Sequence, residues 1–126
     1  MKRVITAVFL LCLVAAACYG SYRYVERTTS TLAQSLEQTS QSIRSGDLSA
    51  AQDSLLHIYG LWRQHYQPLS ALVRHNEIDN TELLFVRAQQ SLADGDMQQA
   101  ALHLAELHAM LNHLPEMETP TYFNLL

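Results

Sequence analysis

Cysteine is almost absent from this 126-residue sequence, and both cysteines, Cys12 and Cys18, lie in an apolar segment near the amino terminus. The rest of the chain contains none, so we expect neither a disulfide framework nor thiol chemistry there. Glycine and proline are also sparse, with four and three residues. Strand signals are nearly missing, and apolar residues recur at helical spacing. The sequence therefore predicts an all-α protein of one domain at most.

Positive charge is scarce beyond Tyr24. Twelve acidic residues and five arginines follow that position, and the only lysine of the chain is Lys2. Such an acidic domain repels phosphate backbones, so nucleic acid is not an expected partner. The sequence also lacks a nucleophile motif and a phosphate-binding loop. We therefore expect a protein that is not an enzyme and that carries no cofactor.

Charge is missing altogether from residues 4–22, which follow a short basic start. These nineteen residues are just long enough for a bilayer-spanning helix, which needs about 20. Tyr19, Tyr22 and Tyr24 end the segment, and tyrosine prefers the bilayer interface. We predict a signal anchor over residues 1–25, bound to the lipid bilayer of the cell membrane. The amino terminus would lie inside, and the rest of this single-pass protein would be extracytoplasmic.

Two alternatives keep the same direction of export. In the first, the segment is a cleaved signal peptide with an apolar core at residues 4–14 and a small-residue cleavage site at Ala15-Ala16-Ala17. In the second, cleavage after Ala17 leaves Cys18 at the start of the chain, as in a bacterial lipoprotein. Ala15 then occupies the position where such sites usually have leucine.

The exported part contains an internal repeat. Residues 42–51 match residues 91–100 at a distance of 49 residues, and each copy contains a Gly-Asp pair. Gly46 and Gly95 suit the left-handed conformation that ends many helices. The aspartate after each glycine suits the N-cap of the next helix. A helix is therefore predicted before and after each pair.

The repeat predicts two helical hairpins, at about residues 29–74 and 77–114. Together they form a four-helix bundle over residues 26–116, followed by a tail at residues 117–126. Apolar residues in one heptad register indicate which sides of the helices are buried. These residues are Leu48, Ala51, Leu55, Ile58, Trp62, Leu69 and Leu72 in the first hairpin, and Met97, Ala100, Leu104, Leu107, Leu111 and Leu114 in the second.

Several residues predict where helices begin, bend or end. Pro68 removes one backbone hydrogen bond, so we expect a kink or a break just before it. Asn76 or Asp79 is expected to cap the third helix, with the nearby acids at its positive end. Pro115 is expected to end the fourth helix.

An ordered set of motifs extends over nearly the whole chain after the basic anchor. They are Gly46-Asp47, Leu61-Trp62, the stretch from His75 to Asn80, Gly95-Asp96 and His113-Leu114-Pro115-Glu116. This set resembles domain-of-unknown-function family 4363, short proteins of spore-forming Gram-positive bacteria. The resemblance implies a membrane-anchored helical protein and no assigned activity. It also implies a partner, a multi-span membrane protein of the YetF type, because genes for such proteins often lie beside those of the family.

The densest polar cluster of the sequence is formed by His75, Glu77 and Asp79, between the two hairpins. One interpretation is a contact with a cation or a protein partner, or acid–base chemistry. The structural interpretation is a cap and a turn in which Arg74 pairs with an acid, and we favour it.

Aromatic residues provide the other candidate contacts. Trp62 occupies a core position, whereas Tyr59 and Tyr66 lie beside the apolar stripe and are candidate contacts with a partner. The histidines do not predict a metal site, because His103, His108 and His113 are five residues apart and point in different directions around a helix. His65 fills the one polar position in the stripe of its helix, which suits an interior hydrogen bond.

The leading hypothesis is a membrane-tethered, extracytoplasmic helical module that binds another membrane or envelope protein. The alternative is a helical domain that senses a small molecule or cation at the segment from His75 to Asp79.

Overall fold

The computed structural model describes residues 1–116, and within them it contains four helices and no strand. The helices are α1 (Lys2–Arg44), α2 (Leu48–Leu72), α3 (His75–Ala93) and α4 (Met97–His113). The prediction of an all-α fold with a long apolar helix followed by a bundle is confirmed. The predicted tail at residues 117–126 lies outside the described residues.

The two Gly-Asp pairs form matching turns. Gly46 and Gly95 have φ angles of 77° and 73°, in the left-handed region, as their position after a helix predicted. Asp47 accepts a hydrogen bond from the backbone N–H of Ala50, and Asp96 accepts one from Gln99, each at 3.0 Å. Each aspartate thus satisfies an amide at the start of the following helix. The predicted helix ends and N-caps at both turns are confirmed.

Helix α1 joins the apolar segment to the bundle without interruption. It contains 43 residues, and its first buried residue is Val25. No glycine or proline lies between Tyr24 and Thr29, so nothing in the sequence ends the helix where the apolar segment stops. The first helix of the bundle is therefore the direct continuation of the apolar segment, and no linker separates them.

The four helices form an antiparallel bundle in which α1 packs on α2 and α4, and α3 packs on the same two helices. The predicted core positions are buried, with Leu48, Leu72 and Met97 partly so. Trp62 and Phe85 are the largest fully buried side chains among the described residues. Their position places the bulkiest part of the core between α2 and α3.

The local predictions have different outcomes. Of the kink or break expected at Pro68, the structure excludes the break, since helix α2 continues through Pro68 and the adjacent Leu69 is fully buried. Neither Asn76 nor Asp79 caps α3, which begins after Arg74 without a side-chain cap. Helix α4 ends at His113, just before Pro115, as predicted.

Candidate functional site

The most elaborate polar arrangement in the described residues lies where α2 packs on α3. Glu82 of α3 accepts hydrogen bonds from the hydroxyl of Tyr59 at 2.5 Å and from the indole N–H of Trp62 at 2.6 Å. The guanidinium of Arg63 lies 3.4 Å from the same carboxylate. We call Glu82 and these three donors the Glu82 cluster. It fastens one side of α2 to α3.

Aromatic rings surround the buried part of this cluster. Phe85 packs against both Tyr59 and Trp62, with ring centroids 5.6 Å and 5.7 Å apart. Tyr66 packs edge-on against Trp62, and the guanidinium of Arg63 lies 5.0 Å from the centre of the Tyr66 ring. Such ring and cation contacts add to the stabilisation that comes from burial alone. Of the two tyrosines predicted as partner contacts, Tyr59 therefore joins α2 to α3, whereas the ring contacts of Tyr66 lie within α2.

The electrostatics of the Glu82 cluster favour a structural role. The hydrogen bond that Tyr59 donates to Glu82 raises the pKa of the phenol, and burial and the negative charge of Glu82 raise it further. The nearby Arg63 lowers it and offsets part of this effect. A phenol that keeps its proton is a steady donor and a poor base. The Glu82 carboxylate, in turn, is engaged by three donors, so neither group suits acid–base catalysis.

The raised pKa of Tyr59 predicts a loss of stability at alkaline pH. The stabilisation that comes from the proton on the Tyr59 hydroxyl is fully present below about pH 10, the ordinary pKa of tyrosine. This stabilisation is lost as pH rises through the higher pKa that Tyr59 has in the folded protein. The free energy of unfolding of the unaltered protein should therefore fall more steeply above pH 10 than that of Tyr59→Phe. Thermal unfolding in mild detergent across this pH range measures both. Parallel curves for the two proteins would contradict the assignment.

The predicted polar cluster at the start of α3 does not converge on one point. His75 and Asp79 are exposed and one helical turn apart, whereas Glu77 is about 200° around the helix from His75. Glu77 accepts a hydrogen bond from the side chain of Asn76 at 3.2 Å. Arg74 has no ion pair with an acid among residues 1–116, contrary to the structural interpretation of this segment. The geometry therefore provides no shared binding point for the three residues.

The histidines do not form a cluster, and four of them have a side-chain partner: His65, His103, His108 and His113. The Nδ1 atom of His65 lies 2.7 Å from the hydroxyl of Tyr24, a hydrogen bond between α2 and α1 that confirms the interior role expected for His65. His103 and Glu106 are one turn apart on α4, with their side chains 3.2 Å from each other. No group of three or more histidine, cysteine or acidic residues suited to a metal ion occurs within residues 1–116.

A cleft of about 230 Å³ lies at the junction of the apolar part of α1 with the bundle. We call it the junction cleft. Its walls are Ala17, Cys18, Ser21, Tyr22 and Val25 of α1 and Leu72 of α2. Because Leu72 ends α2, the turn between α2 and α3 lies at this end of the bundle, beside the apolar segment. The turns at Gly46 and Gly95 lie at the opposite end.

Sequence reasoning missed Glu82, the centre of the best-formed polar site. In the sequence it is one of twelve acids and is indistinguishable from a solvated residue. One signal was available, because Trp62 and Glu82 each lie ten residues from Leu72, near the turn between α2 and α3. Residues at equal distances from the turn of a helical hairpin lie side by side, and a buried indole N–H needs an acceptor.

The fold and its sites define a class: a small helical bundle whose first helix extends from an apolar amino-terminal segment. That segment makes α1 the one helix among the described residues that is long and apolar enough to cross a membrane, and a signal sequence would meet the same criterion. Residues 19–125 match the model of a family described as domain of unknown function DUF4363, and the chain belongs to this family. No curated protein and no solved structure matches it.

Proposed function

We propose that this protein is a membrane-anchored, extracytoplasmic helical module that binds another membrane or envelope protein and has no catalytic activity of its own. The observation that carries the proposal is the uninterrupted helix α1. It enters the bundle core at Val25, only three residues after the uncharged run ends at Tyr22. An anchor of this kind holds the bundle rigidly against the bilayer, whereas a flexible tether would let it move away.

The dimensions of α1 support this arrangement. Residues 4–22 span about 28 Å as a helix, close to the hydrocarbon thickness of a bilayer, which is about 30 Å. With those residues in the bilayer, Val25 and the α2–α3 turn lie at the membrane surface. Lys2 and Arg3 favour an inside location for the amino terminus, which makes the bundle extracytoplasmic.

The junction cleft and the adjacent α2–α3 turn are the surface best placed to contact another membrane protein. The cleft is largely apolar and reaches from the outer end of the membrane-spanning segment to Val25 and Leu72 of the bundle, and Arg74 and His75, which follow Leu72 in the chain, are exposed. A multi-span protein of the YetF type, in a spore-forming Gram-positive bacterium, is the partner that the family resemblance suggests.

The absence of catalytic activity is supported by the engagement of Glu82 with its three donors and by the scattered histidines.

Site-specific photocrosslinking in intact cells tests the proposal. A crosslinker at His75, beside the junction cleft, should yield an adduct with a different membrane or envelope protein, identified by mass spectrometry. The matched control is a crosslinker at Gln98, an exposed position at the opposite end of the bundle, which should not yield that adduct. Equal labelling from both positions, or no adduct with another protein from either, would overturn the proposal.

The same experiment reports whether the anchor is retained. A full-length band in the membrane fraction supports the anchor, whereas cleavage after Ala17 would shorten the chain by seventeen residues. Cleavage would leave Cys18 at the start and remove Ala17 from the wall of the junction cleft.

A further inference from the structure

We propose that two copies of this chain pair side by side through the outer surface of α2 and α3. This surface, the α2–α3 face, consists of exposed residues on adjacent edges of the two helices. They are Leu56, Gly60 and Arg63 on α2 and Asp79, Val86 and Ala93 on α3. The dimer requires the membrane anchorage proposed above, since shared anchorage makes the two copies parallel, but it does not require the other membrane protein.

Exposed apolar side chains are the first observation. Within the described residues after α1, the large hydrophobic side chains that are exposed are Leu56 at 64%, Leu83 at 46%, Val86 at 48% and Leu102 at 52%. Three of these four lie on α2 or α3. Leu56 also lines an apolar groove of about 240 Å³ between the two helices, with Leu92 and Ala93. A cluster of this kind indicates an interface more strongly than an isolated exposed leucine does.

Gly60 is the second observation. It lies in the middle of α2, exposed, with an ordinary φ angle and nothing within 4 Å of where a Cβ would be. The fold of one copy therefore gives no reason for glycine, which is less favourable than alanine inside a helix. Glycine lets a second helix approach closely, so its position next to Leu56 favours an occupant from outside this chain.

The charges identify that occupant as a second copy. Arg63 is the one basic residue on the α2 side of this face, where Asp53 lies about three turns further from the α2–α3 turn, whereas the α3 side near Arg63 carries the acids Asp79 and Glu82 and no base. A two-fold axis parallel to the helices brings α2 of one copy against α3 of the other. The face is then complementary to itself in charge.

The heights of the residues along the bundle agree with this pairing. Arg63 lies nine residues before Leu72, and Asp79 lies seven after it, so the two differ in height by about 3 Å. Leu56 and Val86, sixteen residues before and fourteen after Leu72, differ by the same amount. A single axial alignment of the two copies therefore places Arg63 of one copy opposite Asp79 of the other, and Leu56 of one copy opposite Val86 of the other. Both copies have their anchors in one membrane, which gives the parallel orientation that this axis requires.

Disulfide crosslinking between differently tagged copies tests the dimer. In a background in which Cys12 and Cys18 are replaced by alanine, one copy carries Leu56→Cys and the other Val86→Cys, so a disulfide can form only between copies. Oxidation of native membranes should give a crosslinked species. The control pairs Val86→Cys with Leu102→Cys, since Leu102 is equally exposed but lies on α4. This control pair should give at least about tenfold less crosslinked species than the pair of Leu56→Cys and Val86→Cys, because apolar exposure alone does not bring two side chains together.

Charge reversal provides the second readout. Asp79→Arg should lower the crosslink yield between Leu56→Cys and Val86→Cys by about tenfold, since it places two arginines together at both symmetric contacts. Adding Arg63→Gln, which removes the second arginine and leaves Glu82 with its donors Tyr59 and Trp62, should restore part of the yield. Circular dichroism confirms that each variant is folded. A yield no higher than that of the Leu102→Cys control, or no restoration in the double variant, would overturn the dimer. An adduct from His75 with another protein, in the absence of this crosslink, would leave the proposed function standing.

Discussion

Replacing Trp62 with alanine is expected to lower the free energy of unfolding by about 3–5 kcal/mol, enough to unfold much of the protein if it is only marginally stable. Trp62 is fully buried, packs against Phe85 and Tyr66, and donates a hydrogen bond to Glu82. Alanine would leave a large cavity between α2 and α3 and remove the indole donor. Among residues 1–116, no other position combines so large a buried side chain with a polar contact that joins two helices.

Thermal or urea unfolding of the full-length chain in mild detergent, followed by circular dichroism, measures this loss. Leu102→Ala is the matched control, because Leu102 is exposed on α4 and its truncation should change stability by less than about 0.5 kcal/mol. The loss of stability in Trp62→Phe should lie between the losses in Trp62→Ala and Leu102→Ala. If Trp62→Ala were no more harmful than Leu102→Ala, the assignment of the core would be wrong.

Replacing Glu82 with alanine is expected to lower the free energy of unfolding by about 2–3 kcal/mol. The indole N–H of Trp62 would lose its acceptor while it remained inside the bundle, and a buried donor without a partner is unfavourable. The hydroxyl of Tyr59 is only partly buried, so water would replace the carboxylate there at a smaller loss. Glu82→Gln retains one acceptor oxygen and should be less harmful than Glu82→Ala.

The fluorescence of Trp62, the only tryptophan of the chain, reports directly on this site. Its emission should change in Glu82→Ala but not in Glu77→Ala, which removes an acid of the same helix that is outside the cluster. A double-mutant cycle between Trp62→Phe and Glu82→Gln should give a coupling energy of about 0.5–3 kcal/mol. Strict additivity would mean that the hydrogen bond makes no net contribution to stability.

These expectations separate stability from function within the chain. The Glu82 cluster and the Tyr24–His65 hydrogen bond use the best-formed polar groups to join helices, so they are assigned to stability. The surfaces assigned to binding are the junction cleft, for another membrane protein, and the α2–α3 face, for a second copy. Arg63 belongs both to the Glu82 cluster and to the α2–α3 face. Variants at the other residues of the two surfaces should affect different interactions while the bundle remains folded.

The sequence alone determined the features that depend on neighbouring residues. The turns at Gly46 and Gly95 were predictable because a left-handed glycine followed by a capping aspartate acts within one helical turn. The buried side of each helix was predictable because helical periodicity requires only spacing along the chain. Local rules left two outcomes open at Pro68, which lies inside a continuous helix, and they failed at the start of α3, which has no side-chain cap.

The tertiary structure alone decided which distant groups meet. Glu82 lies 20 residues from Trp62 in the sequence, and His65 lies 41 from Tyr24, yet each pair forms a hydrogen bond. Such partners depend on the register between packed helices, which no local pattern encodes. For α1 the two levels combine: no glycine or proline ends the helix after Tyr24, and the tertiary structure decides that its residues from Val25 onward are buried in the bundle. That continuity turned a predicted anchor with a separate bundle into one rigid element, and it is the feature on which the proposed function rests.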